Sequence, residues 1–195
     1  MSGDHTFWRL LEEHSVEIPI IQRDYAQGRP DKRSEQIRSS FVATLIEMVE
    51  DPTKSKDLDF VYGSLVDGKL VPLDGQQRLT TLFLLHWYLA WVSGNQGSAS
   101  ERLRRFTYRT RVAAQEFCEA LVDPSHCVRF DKETLSETIM DAHWFFANWR
   151  SDPTVSGMLK MLDEIHAKFR SRQSDSIGLW RKLICPENPP ITFHF

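Results

Sequence analysis

The sequence has 195 residues, a formal net charge of −3 and a pI of about 6.2. Its 41% hydrophobic and 26% charged residues are the composition of an ordinary soluble globular protein. Residues 82–92 form the longest apolar run, which is too short to span a bilayer, and the first residues lack the pattern of a secretory signal. The three widely spaced cysteines indicate neither a zinc site nor a disulfide framework. We therefore expect a cytoplasmic protein without membrane contact.

The first half of the chain predicts a small α/β unit. In chain order we expect a helix within residues 1–17, a short strand from Ile18 that runs into a loop before Tyr25, a helix over 34–51, strands over 59–66 and 69–73, and a helix from Gln76 to Val92. Asp67-Gly68 lies between the two strands and is typical of a tight hairpin turn. The last of these helices is apolar on nearly all sides, which predicts that it is buried.

The second half predicts mainly helices. A flexible loop over 93–100 precedes expected helices over 112–123, 132–149 and 153–169, and a final strand over 191–195 follows a proline-rich break. Asp152-Pro153 is a good start for the third of these helices. The predicted fold class is α+β, with a core over 1–95, a helical sub-domain over 96–185 and a returning strand over 186–195, where the sequence looks truncated.

A polar cluster, Asp74-Gly75-Gln76-Gln77-Arg78, stands between a predicted strand and the buried helix. The first N–H groups of a helix have no partners inside it, and with the helix dipole they favour a bound anion. Glycine would let a ligand approach the backbone, and the Arg78 guanidinium suits phosphate. Asp74 would repel a bare phosphate, so it favours either a bound cation such as Mg²⁺ or a contact with a ribose or a base.

Further polar residues could join this site. Thr80 and Thr81 lie one helical turn later and add hydroxyl groups, while Gln22, Arg23 and Tyr25 follow another short apolar run. Two Gln-Arg pairs at the ends of predicted strands could converge on one ligand. An alternative is that Asp74 only caps the helix and that the arginines form surface ion pairs.

Other sequence features favour structural roles. The five arginines within 102–111 are consistent with a solvated face, His86 with a hydrogen-bonded core histidine, and the aromatic cluster at 144–149 with a helix face in the core. The sequence contains neither a GxxxxGK[ST] P-loop nor a GxGxxG fingerprint. These absences exclude the commonest nucleotide-binding motifs.

Three segments in order, IPIIQRDY, FVYGSLV and LDGQQRLTTLFLL, resemble the N-terminal domain of GmrSD-type (type IV) restriction endonucleases. The segments FTYRTR, DPTVSGMLKMLDEIH and ITFHF extend the resemblance over nearly the whole chain. This bacterial family has a ParB/sulfiredoxin-like fold. The resemblance implies that a nucleoside triphosphate is bound and hydrolysed at the DGQQR motif, which regulates the cleavage of foreign, often modified, phage DNA.

Carried over to this chain, the resemblance assigns catalytic roles to Asp74, Gln77 and Arg78, with Asp74 as the Mg²⁺ ligand. It assigns nucleotide binding to Gln22, Arg23, Tyr25, Gly75, Gln76 and Arg78. The hydroxyl groups of Thr80 and Thr81, one helical turn later, add two further candidate nucleotide-binding residues. Family members continue into an Asn-x-Arg-Gly segment and usually into an HNH-type nuclease domain, and neither appears here. We therefore expect a regulatory domain that lacks its own nuclease, with nucleotide, DNA and a nuclease subunit as candidate partners.

Two alternatives remain open from the sequence. The chain could be a ParB-like DNA-binding or specificity module without catalytic turnover, although the net charge of −3 speaks mildly against it. It could also be an inert fragment in which DGQQR is only a helix start.

Overall fold

The computed structural model describes residues 4–19, 25, 27, 29, 31–54, 56–172 and 175–195. Its helices are α1 (Phe7–Glu13), α2 (Lys32–Glu50), α3 (Gln76–Val92), α4 (Gln96–Leu103), α5 (Val112–Leu121), α6 (Leu135–Met140), α7 (Pro153–Arg172) and α8 (Ser176–Leu183). Short 3-10 helices cover Pro52–Lys54 and Ala147–Ser151.

The strands form two small sheets. They are β1 (Asp4–His5), β2 (Ser15–Ile18), β3 (Lys56–Phe60), β4 (Gly63–Val66), β5 (Lys69–Pro72), β6 (Phe106–Tyr108) and β7 (Ile191–His194). One sheet has the order β4-β5-β2-β6, with β2 parallel to both of its neighbours. The other has the order β1-β7-β3. The predicted α+β class is confirmed.

The predicted hairpin is confirmed in its turn and its second strand. Asp67 and Gly68 both have positive φ, 51° and 76°, as a two-residue turn of this kind requires, and β4 pairs antiparallel with β5. The first strand, predicted over 59–66, is wrong as one element. Asp59, inside β3, has φ 63°, where the pairing of β3 with β7 shifts register. After Phe60 the chain leaves β3 and passes to β4, which pairs with β5.

The buried helix is confirmed as α3, in which every residue from Leu79 to Trp91 is buried. A helix with apolar side chains on all sides is most stable when other elements surround it, because no apolar face is then left in water. The predicted helices over 34–51, 112–123 and 153–169 are also confirmed, as α2, α5 and α7. The Asp152 carboxylate accepts the N–H groups of Thr154 and Val155 at 2.8 and 3.0 Å, so it caps α7 as expected.

Other predicted boundaries are wrong. The loop expected over 93–100 contains the start of α4, because Ala99 and Leu103, four residues apart, are both fully buried on one helix face. The strand expected from Ile18 instead ends there, as β2; much of the predicted span, including residues 20–24, lies outside the described residues. Two strands, β1 and β6, have no counterpart among the predicted elements.

The continuous helix predicted over 132–149 is wrong. In the structure α6 ends at Met140 and a 3-10 helix begins at Ala147. Side chains five positions apart on a helix point about 140° apart, so one helix could not easily bury both Trp144 and Trp149 against one core. With the break, both tryptophans are buried, whereas Phe146 of the same predicted core cluster is 61% exposed. None of the helices in the described part of the chain is long and apolar enough to cross a membrane.

Candidate functional site

The predicted site residues that the structure describes follow two of three neighbouring parallel strands, at one edge of the four-stranded sheet. Val16 pairs with Leu70 of β5, and Ile18 pairs with Tyr108 of β6. The carboxyl ends of β5, β2 and β6 therefore lie side by side. In open α/β sheets, ligands bind outside such carboxyl ends. The DGQQR motif follows β5, and the segment that leads to Tyr25 follows β2.

Gly75 makes the abrupt change from strand to helix possible. It is the residue before α3 and has φ 88°, a left-handed conformation that favours glycine. A Cβ at this position would lie 2.9 Å from Val61 Cγ2, so the chain itself fills the space beside it. The N–H groups of Leu73 and Asp74 both donate to the carbonyl of Tyr62, at 2.6 and 3.0 Å. The loop is thus attached to the segment between β3 and β4.

Arg78 and Asp74 form the charged part of the loop. The Arg78 side chain is 23% exposed, and its Nη1 donates to the carbonyl of Leu58. Its Nη2 lies 3.5 Å from Asp74 Oδ2, and the Asp74 side chain is 72% exposed. An ion pair as exposed as this one contributes only about 0–1 kcal/mol, so an anion of higher charge could displace the Asp74 carboxylate from Arg78.

The two glutamines of the motif have different environments. Gln76 is buried, and its Nε2 donates to the carbonyl of Pro72 at 3.1 Å, which ties the first turn of α3 back to β5. Gln77 is half-buried, and its Oε1 accepts the N–H of Gln27 at 3.3 Å. Gln77 is therefore the member of the pair that faces the segment after β2.

Buried hydrogen bonds between hydroxyl groups connect α3 to the segments around it. They involve Tyr25, Thr80 and Thr81. The Tyr25 hydroxyl lies 2.5 Å from Thr81 Oγ1, and Thr81 also donates to Gln27 Oε1 at 2.7 Å. Thr80 Oγ1 lies 2.8 Å from the hydroxyl of Tyr108. Burial raises the pKa of both phenols, so they remain protonated. These bonds join α3 to β6 and to the segment after β2.

Arg38 is a candidate site residue that the sequence analysis missed. It projects from α2, is only 8% exposed, and its Nη1 donates to the carbonyls of Gln27 and Arg29 at 2.9 and 3.4 Å. It therefore positions the backbone next to Gln77. The surrounding sequence, KRSEQIRSS, contains several similar polar residues, so the sequence alone could not distinguish Arg38 from an ordinary surface arginine. The predicted ligands Gln22 and Arg23 lie outside the described residues.

Asp74 supplies the one carboxylate of the DGQQR loop. Within the described ranges, no three or more His, Cys, Asp or Glu side chains are grouped so that they could hold a metal. Mg²⁺ is commonly held by one or two carboxylates together with substrate phosphates and water. The exposed Asp74 carboxylate beside Arg78 fits that arrangement.

Comparison with protein families now adds to this geometry. The family model described as the GmrSD restriction endonuclease N-terminal domain matches residues 7–178. The chain belongs to the GmrSD restriction endonuclease N-terminal domain family. The resemblance read from the sequence is thereby confirmed, and this GmrSD N-terminal domain is a restriction-system domain. Curated proteins and solved structures gave no match.

Three arginines within residues 102–111 of the GmrSD domain form ion pairs with acidic side chains. Arg102 lies 3.0 Å from Glu12, Arg104 lies 3.7 Å from Asp123, and Arg109 lies 3.6 Å from Glu17. Arg105 donates to the backbone carbonyl of Glu12 at 2.6 Å. These contacts are those expected of a solvated face.

Proposed function

We propose that the chain is a nucleoside-triphosphate-binding and hydrolysing regulatory domain of a modification-dependent restriction system. The observation that supports the proposal is the ion pair between Arg78 and Asp74, which lies beside the carboxyl ends of three parallel strands. The chain also belongs to the GmrSD N-terminal domain family. In this proposal Arg78 binds phosphate. Gly75 has no side chain to cap α3, so it supplies no capping oxygen to the first N–H groups of the helix, which favours a bound anion there.

In this proposal the chain supplies positioning and charge rather than covalent chemistry. Arg78 stabilises charge on the transferred phosphoryl group, Gln77 orients the attacking water, and Asp74 holds Mg²⁺, which would neutralise phosphate charge. Phosphoryl transfer is catalysed mainly by such positioning and charge stabilisation. Gln22 and Arg23, which follow β2 in the sequence, are proposed as further nucleotide ligands. The partner is a nuclease domain or subunit that acts on DNA.

The first test is a calorimetric titration of the chain with ATP, GTP, CTP and UTP in the presence of Mg²⁺, for the wild type and for Arg78→Ala. We expect the variant to lose a charge-assisted contact of about 1.5–3 kcal/mol, that is, tenfold or more in affinity. Arg150→Ala, on the 3-10 helix Ala147–Ser151, is the matched control and should bind as the wild type does.

Because Arg78 also donates to Leu58, the same variants are compared by thermal unfolding, and Arg78→Lys retains the charge without the planar fork. Equal affinity in the wild type and a folded Arg78→Ala would contradict the proposed site. Asp74→Asn and Gln77→Ala should keep nucleotide binding within tenfold while phosphate release falls, and removal of Mg²⁺ with a chelator should abolish release.

The alternative, a DNA-binding module without turnover, predicts a different result. Duplex DNA would bind with an affinity that falls steeply as salt rises, because phosphate contacts release counterions. Such binding without nucleotide turnover would favour the alternative. Three of the arginines within 102–111 lie in ion pairs, which reduces the positive charge that this face offers to DNA phosphate and favours the nucleotide proposal.

A further inference from the structure

Two large aromatic side chains are exposed next to the DGQQR loop. Phe60 is 46% exposed and Tyr62 is 57% exposed, and their rings are stacked with centroids 5.4 Å apart and planes 17° apart. The ring centroid of His194 lies 5.0 Å from that of Phe60. We call Phe60, Tyr62 and His194 the aromatic platform. Contiguous exposed apolar surface, unlike single scattered apolar residues, is typical of ligand-binding and interaction sites.

The aromatic platform is attached to the loop at several points along its own strand segment. The carbonyl of Leu58, two residues before Phe60, accepts a hydrogen bond from Arg78. The carbonyl of Tyr62 accepts the N–H of Asp74. Val61, which separates Phe60 from Tyr62 in the sequence, packs against Gly75. A ligand group bound by Arg78 therefore lies beside the segment that carries the rings.

The platform is also held rigidly. The N–H of Val61 donates to the carbonyl of His194 at 2.8 Å, and His194 Nε2 lies 2.6 Å from Asp57 Oδ2. Strand β7 fixes the position of His194 by its pairing with β3. A surface that is ordered before binding loses less conformational entropy when a ligand docks.

We propose that the aromatic platform stacks against the base of the nucleotide whose phosphates lie at Asp74 and Arg78. This inference rests on the proposed function and adds the subsite for the base. A nucleobase is the part of a nucleotide that offers a flat π face, and stacking on aromatic side chains is effective for every base. The Mg²⁺ proposed at Asp74 and the first N–H groups of α3 would then hold the phosphates of the same nucleotide.

The test compares ATP with inorganic tripolyphosphate, both with Mg²⁺, by calorimetry. The wild type should bind ATP more tightly than tripolyphosphate, because only ATP reaches the platform. The double variant Phe60→Leu/Tyr62→Leu keeps apolar bulk but has no rings. It should lose about tenfold or more in ATP affinity and leave tripolyphosphate affinity unchanged. Phe146→Leu, at another exposed aromatic residue, is the matched control and should bind both ligands as the wild type does.

Each outcome separates the two proposals. Equal affinity of the wild type for ATP and tripolyphosphate, or unchanged ATP affinity in a folded double variant, would overturn the base subsite while the phosphate site stands. ATP binding that depends on Phe60 and Tyr62 but not on Arg78 would overturn the phosphate site and retain the stacking. If neither ligand binds the wild type, both proposals fail together.

Discussion

At the scale of single residues, Gly75 explains how a polar loop passes directly into a buried helix. The sequence analysis assigned its small size to the approach of a ligand. The structure gives an additional reason within the chain, since the left-handed backbone and the contact with Val61 both exclude a Cβ. Gly75 therefore matters for stability whether or not a ligand binds.

Gly75→Ala should destabilise the fold more than Gly68→Ala. Both glycines have positive φ, which costs an alanine about 1–2 kcal/mol, but a Cβ at Gly68 meets nothing within 4 Å, whereas at Gly75 it meets Val61 at 2.9 Å. Urea unfolding of the two variants measures the difference. Equal losses in the two variants would show that the contact with Val61 relaxes without cost.

The two threonines show a limit of single-residue inference. Their hydroxyl groups were predicted to contact the nucleotide, and that remains a prediction. In the structure they bond to tyrosines that lie 56 and 28 positions away in the chain. Nothing local in LTTL could indicate those partners, because the fold brings them together from the ends of different strands.

At the scale of the element, α3 is both the support of the site and the centre of the core. His86, in its middle, is 2% exposed, and its Nδ1 lies 2.7 Å from the carbonyl of Leu82. Its ring stacks on that of Trp8. Burial lowers the pKa of His86 to about 4. The sequence prediction of a hydrogen-bonded core histidine agrees with these contacts.

This buried histidine predicts a loss of stability in acid. The pKa of His86 is lower in the folded state than in the unfolded chain, where it is about 6.5. Between these values the unfolded chain binds a proton that the folded state does not, so its contribution is complete above pH 6.5 and is lost as the pH falls toward 4. From pH 7 to pH 5 this amounts to about 2 kcal/mol.

Urea unfolding at pH 7 and pH 5 tests this contribution. In His86→Leu the corresponding part of the pH dependence should disappear, whereas His143→Leu, at an exposed position, should retain the slope of the wild type. An unchanged slope in a folded His86→Leu would mean that another group causes the acid loss.

At the scale of the whole molecule, the last strand closes a sheet that begins at the other end of the chain. Strand β7 lies between β1 and β3, and its Ile191 and Phe193 are buried in the common core. The sequence predicted this strand and its return to a sheet. It could not predict that the strand joins a separate three-stranded sheet and carries His194 to the aromatic platform.

Phe193→Ala should lower the free energy of unfolding by about 3–5 kcal/mol, because Phe193 is 1% exposed and its removal leaves a cavity. Thr192→Ala, at the neighbouring half-buried position, should cost less than about 1 kcal/mol, in the range of substitutions away from core contacts. Chemical unfolding followed by circular dichroism measures both. Similar losses at the two positions would contradict the central role of β7.

Local patterns alone determined the buried helix α3, the amphipathic helices α2 and α7, the Asp67-Gly68 turn and the position of the DGQQR motif at a helix start. Each depends on spacing or on backbone preferences that neighbouring residues set. Tertiary structure decided the break after Met140 and the division of residues 59–66 between two sheets. It also decided that Arg78 bonds to Leu58, in the segment that carries Phe60 and Tyr62. These features depend on which distant surfaces are buried together, and the free energy of that burial cannot be inferred from any short segment.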